Sequence, residues 1–155
     1  MNKDHPGVYF PPPIIYVFVF FAAFFLNRII PLEWPDFQND WIYFTGTIFL
    51  LAGLFFVLRG VGKFIQSGNT VVTFKAAKSL QESGVYRFTR NPMYLGFTLI
   101  YLGFSGFFGN WWHLILLPVL IVIMQEYVIK KEERYLSRKF GEAYKVYRGK
   151  VRRWL

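Results

Sequence analysis

Apolar stretches separated by short polar segments dominate this chain. They cover residues 14–30, 41–58, 91–108 and 111–129. A helix needs about 20 mostly apolar residues to cross the hydrocarbon core of a bilayer, and each stretch comes close to this length with its flanking residues. The pattern predicts an all-α integral membrane protein with four transmembrane helices, folded as a single membrane domain over residues 1–155.

The polar segments between these stretches differ in charge. Residues 31–40 form a short acidic loop, residues 59–90 form a basic middle loop, and Gly109-Asn110 predicts a tight turn between the third and fourth helices. That turn makes the third and fourth helices an expected antiparallel hairpin. Three glycines in the third helix are expected to allow close helix contact: Gly96, Gly103 and Gly106.

The segment 130–155 is strongly charged but keeps an apolar period. Apolar and aromatic residues recur there every three to five positions, as an amphipathic helix requires: Tyr135, Leu136, Phe140, Tyr144 and Tyr147. We therefore expect a C-terminal amphipathic helix lying on the membrane surface.

The distribution of positive charge predicts an orientation. The middle loop and the tail contain 16 of the 18 Lys and Arg residues, and the formal net charge is +9. Positive loops stay on the cytoplasmic side, so both termini and the middle loop are predicted to be cytoplasmic. Because the cations flank apolar segments, they favour anionic lipid headgroups as a partner and argue against nucleic acid.

Several kinds of chemistry find no support in the sequence. There is no Cys, and the two histidines, His5 and His113, are far apart. A disulfide framework, a thiolate nucleophile and a Cys or His metal site are therefore not expected. A phosphate-binding Walker loop and a Ser/His/Asp arrangement are also missing from the sequence.

The basic, aromatic stretch 83–96 has the features of an anion site. Asn91 can cap a helix and Pro92 suits its first position, so a helix start is predicted there. Free N–H groups and the helix dipole attract a carboxylate or phosphate at such a start, and Arg87 and Arg90 add positive charge. The alternative is that both arginines only anchor lipid headgroups.

Three carboxylates lie at the cytoplasmic end of the fourth apolar stretch: Glu126, Glu132 and Glu133. A carboxylate this close to hydrocarbon requires a partner or a function. Glu126, Lys130 and Glu133 share one helical face, so a simple salt-bridge ladder is the alternative. Arg90 is expected beside Glu132, where the two would bind a ligand that has both a carboxylate and an ammonium or hydroxyl group.

Four short motifs, in order, resemble one enzyme family: Ser83-Gly84-Val85-Tyr86, Arg90-Asn91-Pro92-Met93-Tyr94-Leu95-Gly96, Glu132-Glu133 and Phe140-Gly141-Glu142-Ala143-Tyr144. They resemble the isoprenylcysteine carboxyl methyltransferases and the related phospholipid N-methyltransferases, which are integral membrane enzymes that use S-adenosylmethionine. The resemblance covers residues 70–155. It implies an S-adenosylmethionine-dependent methyltransferase that acts on a lipid-like or amphipathic acceptor.

The resemblance also implies roles for individual residues. Cofactor contacts are expected within segments 68–94 and 130–155, from Lys78, Ser79, Leu80, Gln81, Tyr86, Arg90, Asn91, Pro92, Met93 and Glu132. Apart from the resemblance, the chemistry of methyl transfer suggests catalytic roles for Arg90, Glu126 and Glu133, the two carboxylates being candidate bases for an amine acceptor. Arg87, Tyr94 and Lys130 are candidate contacts for the substrate.

Some positions depart from the isoprenylcysteine enzymes. Lys78 and Asn91 stand where those enzymes have histidines, and Val128 stands where they have a substrate-contacting arginine, so the acceptor stays open. Two other functions also stay open. One is an NADPH-dependent membrane reductase of the sterol reductase type, and the other is a non-enzymatic protein whose basic tail binds anionic lipids.

Overall fold

The computed structural model describes residues 5–32, 39–69, 76–108 and 110–155. Within these ranges the regular structure is helical: α1 (Pro12–Ile29), α2 (Asp40–Gln66), a 3₁₀ turn (Gly84–Arg87), α3 (Pro92–Phe108), α4 (Trp111–Ile123), a π-helical segment (Met124–Ile129) and α5 (Lys130–Lys150). Most of the predicted acidic loop and part of the cofactor segment 68–94 lie outside the described residues.

The predicted all-α membrane fold is confirmed. Among the described residues, three helical stretches are long and apolar enough to cross a membrane: α1, α2 and the stretch from Trp111 to Lys150. The 17 residues of α3 are equally apolar but shorter, and at 1.5 Å per residue they extend about 26 Å. Four crossings and cytoplasmic termini remain predictions.

The predicted tail helix is present, but it continues directly from the fourth apolar helix. α4, the π-helical segment and α5 follow one another without a break. A change of direction comes instead at Gly141, whose φ of +53° and ψ of −121° are not helical. A positive φ of this kind favours glycine, which has no Cβ to clash. Beyond it, Tyr144 and Tyr147 reach the residues that precede α3.

α3 packs most extensively against α2, and α4 packs mainly against α1. The two helices of the expected α3–α4 hairpin therefore pack less against each other than against α2 and α1. The glycines of α3 do permit close contact, but with α2, which has glycines of its own at seven-residue spacing: Gly46, Gly53 and Gly60. A Cβ added at Gly53 would lie 2.6 Å from the backbone oxygen of Gly96. Small residues let helix backbones approach where water does not drive association.

Candidate functional site

α3 begins at Pro92, as the sequence predicts. The turn before it is held by Thr89, whose Oγ1 accepts a hydrogen bond from the Asn91 N–H at 3.1 Å. The side chain of Asn91 also contacts a distant part of the chain. Its Nδ2 donates to the carbonyl oxygen of Arg153 at 2.9 Å. The helix start is therefore fixed by contacts with a distant part of the chain.

Those contacts come from residues 151–155, which we call the C-terminal segment. The N–H of Arg90 donates to the Arg152 carbonyl at 3.0 Å. The Thr89 hydroxyl donates to the Arg153 carbonyl at 3.1 Å. Together with the Asn91 contact, these bonds attach the C-terminal segment to the turn that precedes α3. The backbone of Arg90 is thereby held in place from outside its own helix.

Glu133 lies between two guanidinium groups. Arg90 Nη2 is 3.1 Å from its Oε1, while Arg153 donates twice, from Nε at 3.0 Å and from Nη2 at 2.8 Å. The side chains of Arg90 and Glu133 are only 9% and 10% exposed. Bidentate pairing of this kind fixes orientation as well as charge. Glu133 therefore holds Arg90 and the C-terminal segment together.

The predicted ladder along one helical face forms only in part. Lys130 Nζ lies 2.6 Å from Glu126, and both side chains are about half exposed. Glu133 does not join this pair, because its two oxygens face Arg90 and Arg153. Glu126 and Glu133 thus have separate partners and separate surroundings.

Glu132 is in a different state from its neighbour. Its Oε1 accepts a 2.6 Å hydrogen bond from the hydroxyl of Tyr94, and no cation among the described residues pairs with it. Burial raises the pKa of the Glu132 carboxyl from its ordinary 4.5 to about 7. The Tyr94 hydrogen bond opposes this rise, and the charge of Glu133 adds to it. Glu132 therefore titrates near neutral pH.

One cavity joins these groups. Arg90 and Glu132 both line it, at the start of α3 and the start of α5. Most of the predicted cofactor residues also line it: Ser79, Leu80, Gln81, Tyr86, Asn91, Pro92 and Met93. Tyr94 and Glu133 complete the predicted residues found in its wall. The structure thus brings together groups that are up to 54 residues apart in sequence.

Polar atoms in the cavity wall lack partners among the described residues. The hydroxyl of Tyr86 and the Nε of Arg90 are buried without a hydrogen bond. Buried donors are nearly always paired in folded proteins, so each one requires an explanation. The Tyr86 ring itself is well packed, since it stacks on Phe64 with 5.7 Å between ring centroids. The two free donors therefore point to a ligand.

Four predicted residues do not line this cavity: Lys78, Arg87, Glu126 and Lys130. Arg87 is exposed at the end of the 3₁₀ turn. Lys78 is also exposed, although its backbone N–H is held by the Asn69 side chain, which accepts from Lys78 at 2.6 Å and from Ser79 at 3.1 Å. The sequence analysis did not single out Asn69, whose side chain positions the non-helical segment that contains Ser79.

The sequence reasoning also missed an aromatic wall. Three tyrosines that were assigned only to the apolar face of the tail helix line the cavity: Tyr135, Tyr144 and Tyr147. Tyr147 donates to the Tyr86 carbonyl at 2.8 Å, and the Tyr144 hydroxyl accepts from Arg90 Nη1 at 3.3 Å. The sequence did contain a signal: the apolar face of the tail consists largely of tyrosine, and a buried tyrosine hydroxyl usually requires a hydrogen-bond partner.

With this geometry established, comparison with known proteins decides the family. The profile of the phospholipid methyltransferase family matches residues 41–143, more than half of the chain. The chain belongs to the phospholipid methyltransferase family. The match ends before Tyr144, Tyr147 and the C-terminal segment, which the structure nevertheless brings to the cavity or to its frame.

Two relatives of this phospholipid methyltransferase family member are informative. A protein-S-isoprenylcysteine O-methyltransferase of Schizosaccharomyces pombe is 31% identical over 126 residues, which cover 77% of this chain and 53% of that protein. The chain thus spans about half the length of that relative. An uncharacterised protein of Haemophilus influenzae is 40% identical over 63 residues, 41% of this chain and 100% of that protein. No solved structure matches the chain.

Proposed function

We propose that this protein is an S-adenosylmethionine-dependent methyltransferase that methylates a lipid-like or amphipathic acceptor. The observation that carries the proposal is that two complementary groups line the same cavity. Arg90 offers a guanidinium with an unused Nε, and Glu132 offers a carboxylate without a cation among the described residues. Membership of the phospholipid methyltransferase family supports the interpretation that these two groups bind a methyl donor.

The residues of the cavity fit the cofactor. S-adenosylmethionine has a carboxylate and an ammonium at one end, a ribose with two hydroxyls, and a flat adenine. We assign its carboxylate to Arg90 and the unpaired hydroxyl of Tyr86, which are donors. We assign its ammonium or hydroxyl groups to Glu132, an acceptor once ionised. The tyrosines of the aromatic wall offer ring faces for the adenine.

When bound, the cofactor supplies an electrophilic methyl group on a sulfonium. The work left to the protein is alignment of donor and acceptor and exclusion of water. Arg90 is suited to alignment, because Glu133, Tyr144 and the C-terminal segment fix its side chain and its backbone. The guanidinium therefore keeps its position without help from the ligand.

The structure narrows the choice of a base. Glu133 has both oxygens engaged by guanidinium groups, and Glu126 is outside the cavity. These surroundings do not support the base roles that the sequence suggested for them. If the acceptor is an amine, we propose that it binds in its neutral form, because Glu132 is already assigned to the cofactor. A carboxylate or thiolate acceptor needs no base.

The position of the cavity favours a lipophilic acceptor. Its wall includes Pro92 and Met93, the first residues of the apolar helix α3, and Leu136 on α5. An amphipathic molecule in the bilayer can place its polar end at this level while its apolar part stays in the lipid. The substrate contacts that the sequence suggested for Arg87 and Lys130 would have to lie outside this cavity.

The test is transfer of label from methyl-labelled S-adenosylmethionine. Purified protein in detergent is incubated with the labelled cofactor and a total lipid extract, and the lipid classes are separated and counted. We expect one class to gain label with the wild type and with Glu142→Gln, an exposed carboxylate outside the cavity. Glu132→Gln should lose at least a hundredfold in rate while it stays folded. Binding of NADPH without binding of S-adenosylmethionine would favour a reductase instead.

A further inference from the structure

A second cleft shares Glu133 with the cofactor cavity. Apart from Ser137, the remaining wall of the second cleft is cationic: Lys130, Arg134, Arg138, Arg148 and Arg153. None of these cationic residues lines the cofactor cavity. The cleft is therefore a separate feature that shares one wall with the first.

The fold gathers these cations from distant positions. Lys130, Arg134 and Arg138 come from the first part of α5, whereas Arg148 and Arg153 come after the change of direction at Gly141. Positive charges that converge in one concave space repel one another. This arrangement is unfavourable unless anions neutralise the positive charge. The anions must be either nearby carboxylates of the protein or a bound ligand.

The carboxylates of the described residues do not neutralise this cleft. Glu126 pairs with Lys130, and Glu133 is divided between Arg90 and Arg153. For the remaining three arginines, Arg134, Arg138 and Arg148, the part of the chain that the structure describes provides no ion pair. All three are exposed, so a ligand from outside can reach them.

We propose that this cleft is a binding site for a phosphate group. The planar guanidinium donates two parallel hydrogen bonds, which match the oxygens of a phosphate, and several arginines around one space suit an anion with more than one charge. Arg153 lines the cleft and uses only its Nε and Nη2 on Glu133, so its Nη1 stays available for a ligand. A single carboxylate would satisfy fewer of these donors.

The position of the cleft admits two sources of phosphate. Lys130, Arg134 and Arg138 follow directly on the apolar helix, within the first turns of α5, at the level where lipid headgroups begin. A lipid phosphomonoester and free inorganic phosphate present the same oxygens there. The cleft is not the cofactor cavity, so its ligand is bound whether or not the protein transfers methyl groups.

The test measures binding of two phosphate probes to the full chain in a neutral, phosphate-free detergent. The probes are dihexanoyl phosphatidic acid, below its micelle concentration, and inorganic phosphate. Dihexanoyl phosphatidylcholine, whose phosphate is offset by choline, is the negative probe. Titration followed by ³¹P NMR should show saturation at one phosphate per chain for at least one of the two probes.

Two variants with the same loss of charge locate the site. Arg134→Gln, Arg138→Gln and Arg148→Gln together should weaken binding at least tenfold. Lys145→Gln, Lys150→Gln and Arg152→Gln together remove three exposed cations outside the cleft and should change it less than twofold. A melting temperature close to that of the wild type, measured on the same samples of both variants, shows that the fold is intact, and this control does not depend on the proposed function.

The outcomes are distinct. Saturable binding of phosphatidic acid alone identifies a lipid headgroup, and equal binding of inorganic phosphate identifies a free ligand; both support the site. Three results would overturn it. They are uptake by the wild type that does not saturate, equal weakening in the two triple variants, and binding of phosphatidylcholine as strong as that of phosphatidic acid. The first and third need no variant, so a misfolded variant does not prevent the test.

Discussion

Tyr94 and Glu132 are joined by a 2.6 Å hydrogen bond from the phenol to the carboxylate Oε1. The bond links the first turn of α3 to the first turn of α5, so both helix starts face one cavity. It also leaves the second oxygen of Glu132 for a ligand. The protonation state of this one carboxyl consequently matters for what the cavity binds.

Cofactor affinity should depend on pH through Glu132. Burial raises the pKa of this carboxyl to about 7, and the ionised form binds an ammonium much more strongly than the neutral form because it adds a charge-assisted hydrogen bond. The ionised fraction grows about tenfold between pH 6 and pH 8, so affinity for S-adenosylmethionine should rise about tenfold over that range. Isothermal titration at both pH values measures it. Glu132→Gln should bind weakly, with no such rise.

The same shift predicts how stability varies with pH in the absence of ligand. A carboxyl whose pKa is raised in the folded state binds its proton more tightly there than in the unfolded state. Its contribution to stability is therefore fully present below pH 4.5 and is lost as pH rises to about 7. The melting temperature of the wild type should therefore fall between pH 4.5 and pH 7 by more than the melting temperature of Glu132→Gln does. Parallel curves for the two proteins would contradict the assignment.

Removal of the Tyr94 hydroxyl should move the pH response. The Tyr94 hydrogen bond lowers the pKa of Glu132 against the effect of burial, so Tyr94→Phe should raise that pKa and shift the rise in affinity to higher pH. A hydrogen bond to a charged group contributes about 1.5–3 kcal/mol, which corresponds to a loss of roughly tenfold or more in affinity at pH 7. Titrations across pH 6–9 measure both effects.

A matched control for this change lies on the same helix. Tyr101 is also buried, and its hydroxyl also donates a hydrogen bond, to the His113 carbonyl at 3.0 Å. It is far along α3 from the cavity. Tyr101→Phe should lower the melting temperature without a shift in the pH response. If both variants shift it equally, the effect belongs to the packing of α3 and not to Glu132.

Local signals in the sequence predicted the start of α3 correctly. Proline restricts the chain at the first helical position, and Pro92 is where the helix begins. The expectation that Arg90 and Glu132 lie close together followed from the order of apolar stretches, and both line one cavity. Features of this kind depend on a few neighbouring residues or on topology, which a single sequence contains.

Other parts of the site depend on contacts that a single sequence does not show. Glu132 and Glu133 are neighbours, yet one contacts Tyr94 and the other contacts two arginines. Their directions are set by helix phase, and the π-helical segment Met124–Ile129 just before them alters that phase. The pairing of Arg153 with Glu133 also requires the change of direction at Gly141, which periodicity alone treats as helix.

Arg153 should be needed to hold the site together. Arg153→Ala leaves Glu133 buried with one guanidinium partner instead of two. A hydrogen-bonded charge pair contributes about 1.5–3 kcal/mol, and this contribution is reduced because the Arg153 side chain is 26% exposed. The free energy of unfolding should therefore fall by about 1–2 kcal/mol. The melting temperature should fall, and cofactor affinity should fall with it, because Arg90 shares the same carboxylate.

The neighbouring residue is the control for this prediction. Arg152 contributes its carbonyl to the Arg90 N–H, but its side chain is exposed. Arg152→Ala should therefore leave both measurements unchanged. A double-mutant cycle with Glu133→Gln should show coupling to Arg153 and none to Arg152. Independent effects of Arg153→Ala and Glu133→Gln would mean that the pair does not form in solution.

The contact between Gly53 and Gly96 should tolerate no side chain. A Cβ at Gly53 would lie 2.6 Å from the Gly96 oxygen and 2.7 Å from Ile100 Cγ1. Backbone atoms cannot move aside without separating α2 from α3, and overpacking of this kind costs about 1–3 kcal/mol. Gly53→Ala should lower the thermal unfolding temperature in detergent, and cofactor affinity should fall because α3 carries the wall of the cavity.

Gly62 on the same helix provides the comparison. A Cβ added there would meet nothing within 4 Å, and alanine is more favourable than glycine inside a helix by about 0.5–1 kcal/mol. Gly62→Ala should therefore be neutral or slightly stabilising, with unchanged cofactor affinity. Both substitutions replace glycine by alanine in α2, so the gain in helix propensity is the same for each. The difference between them therefore reports the contact with α3. If Gly53→Ala were as stable as Gly62→Ala, then α2 and α3 would not be in backbone contact at Gly96, and the frame proposed for the cavity would be wrong.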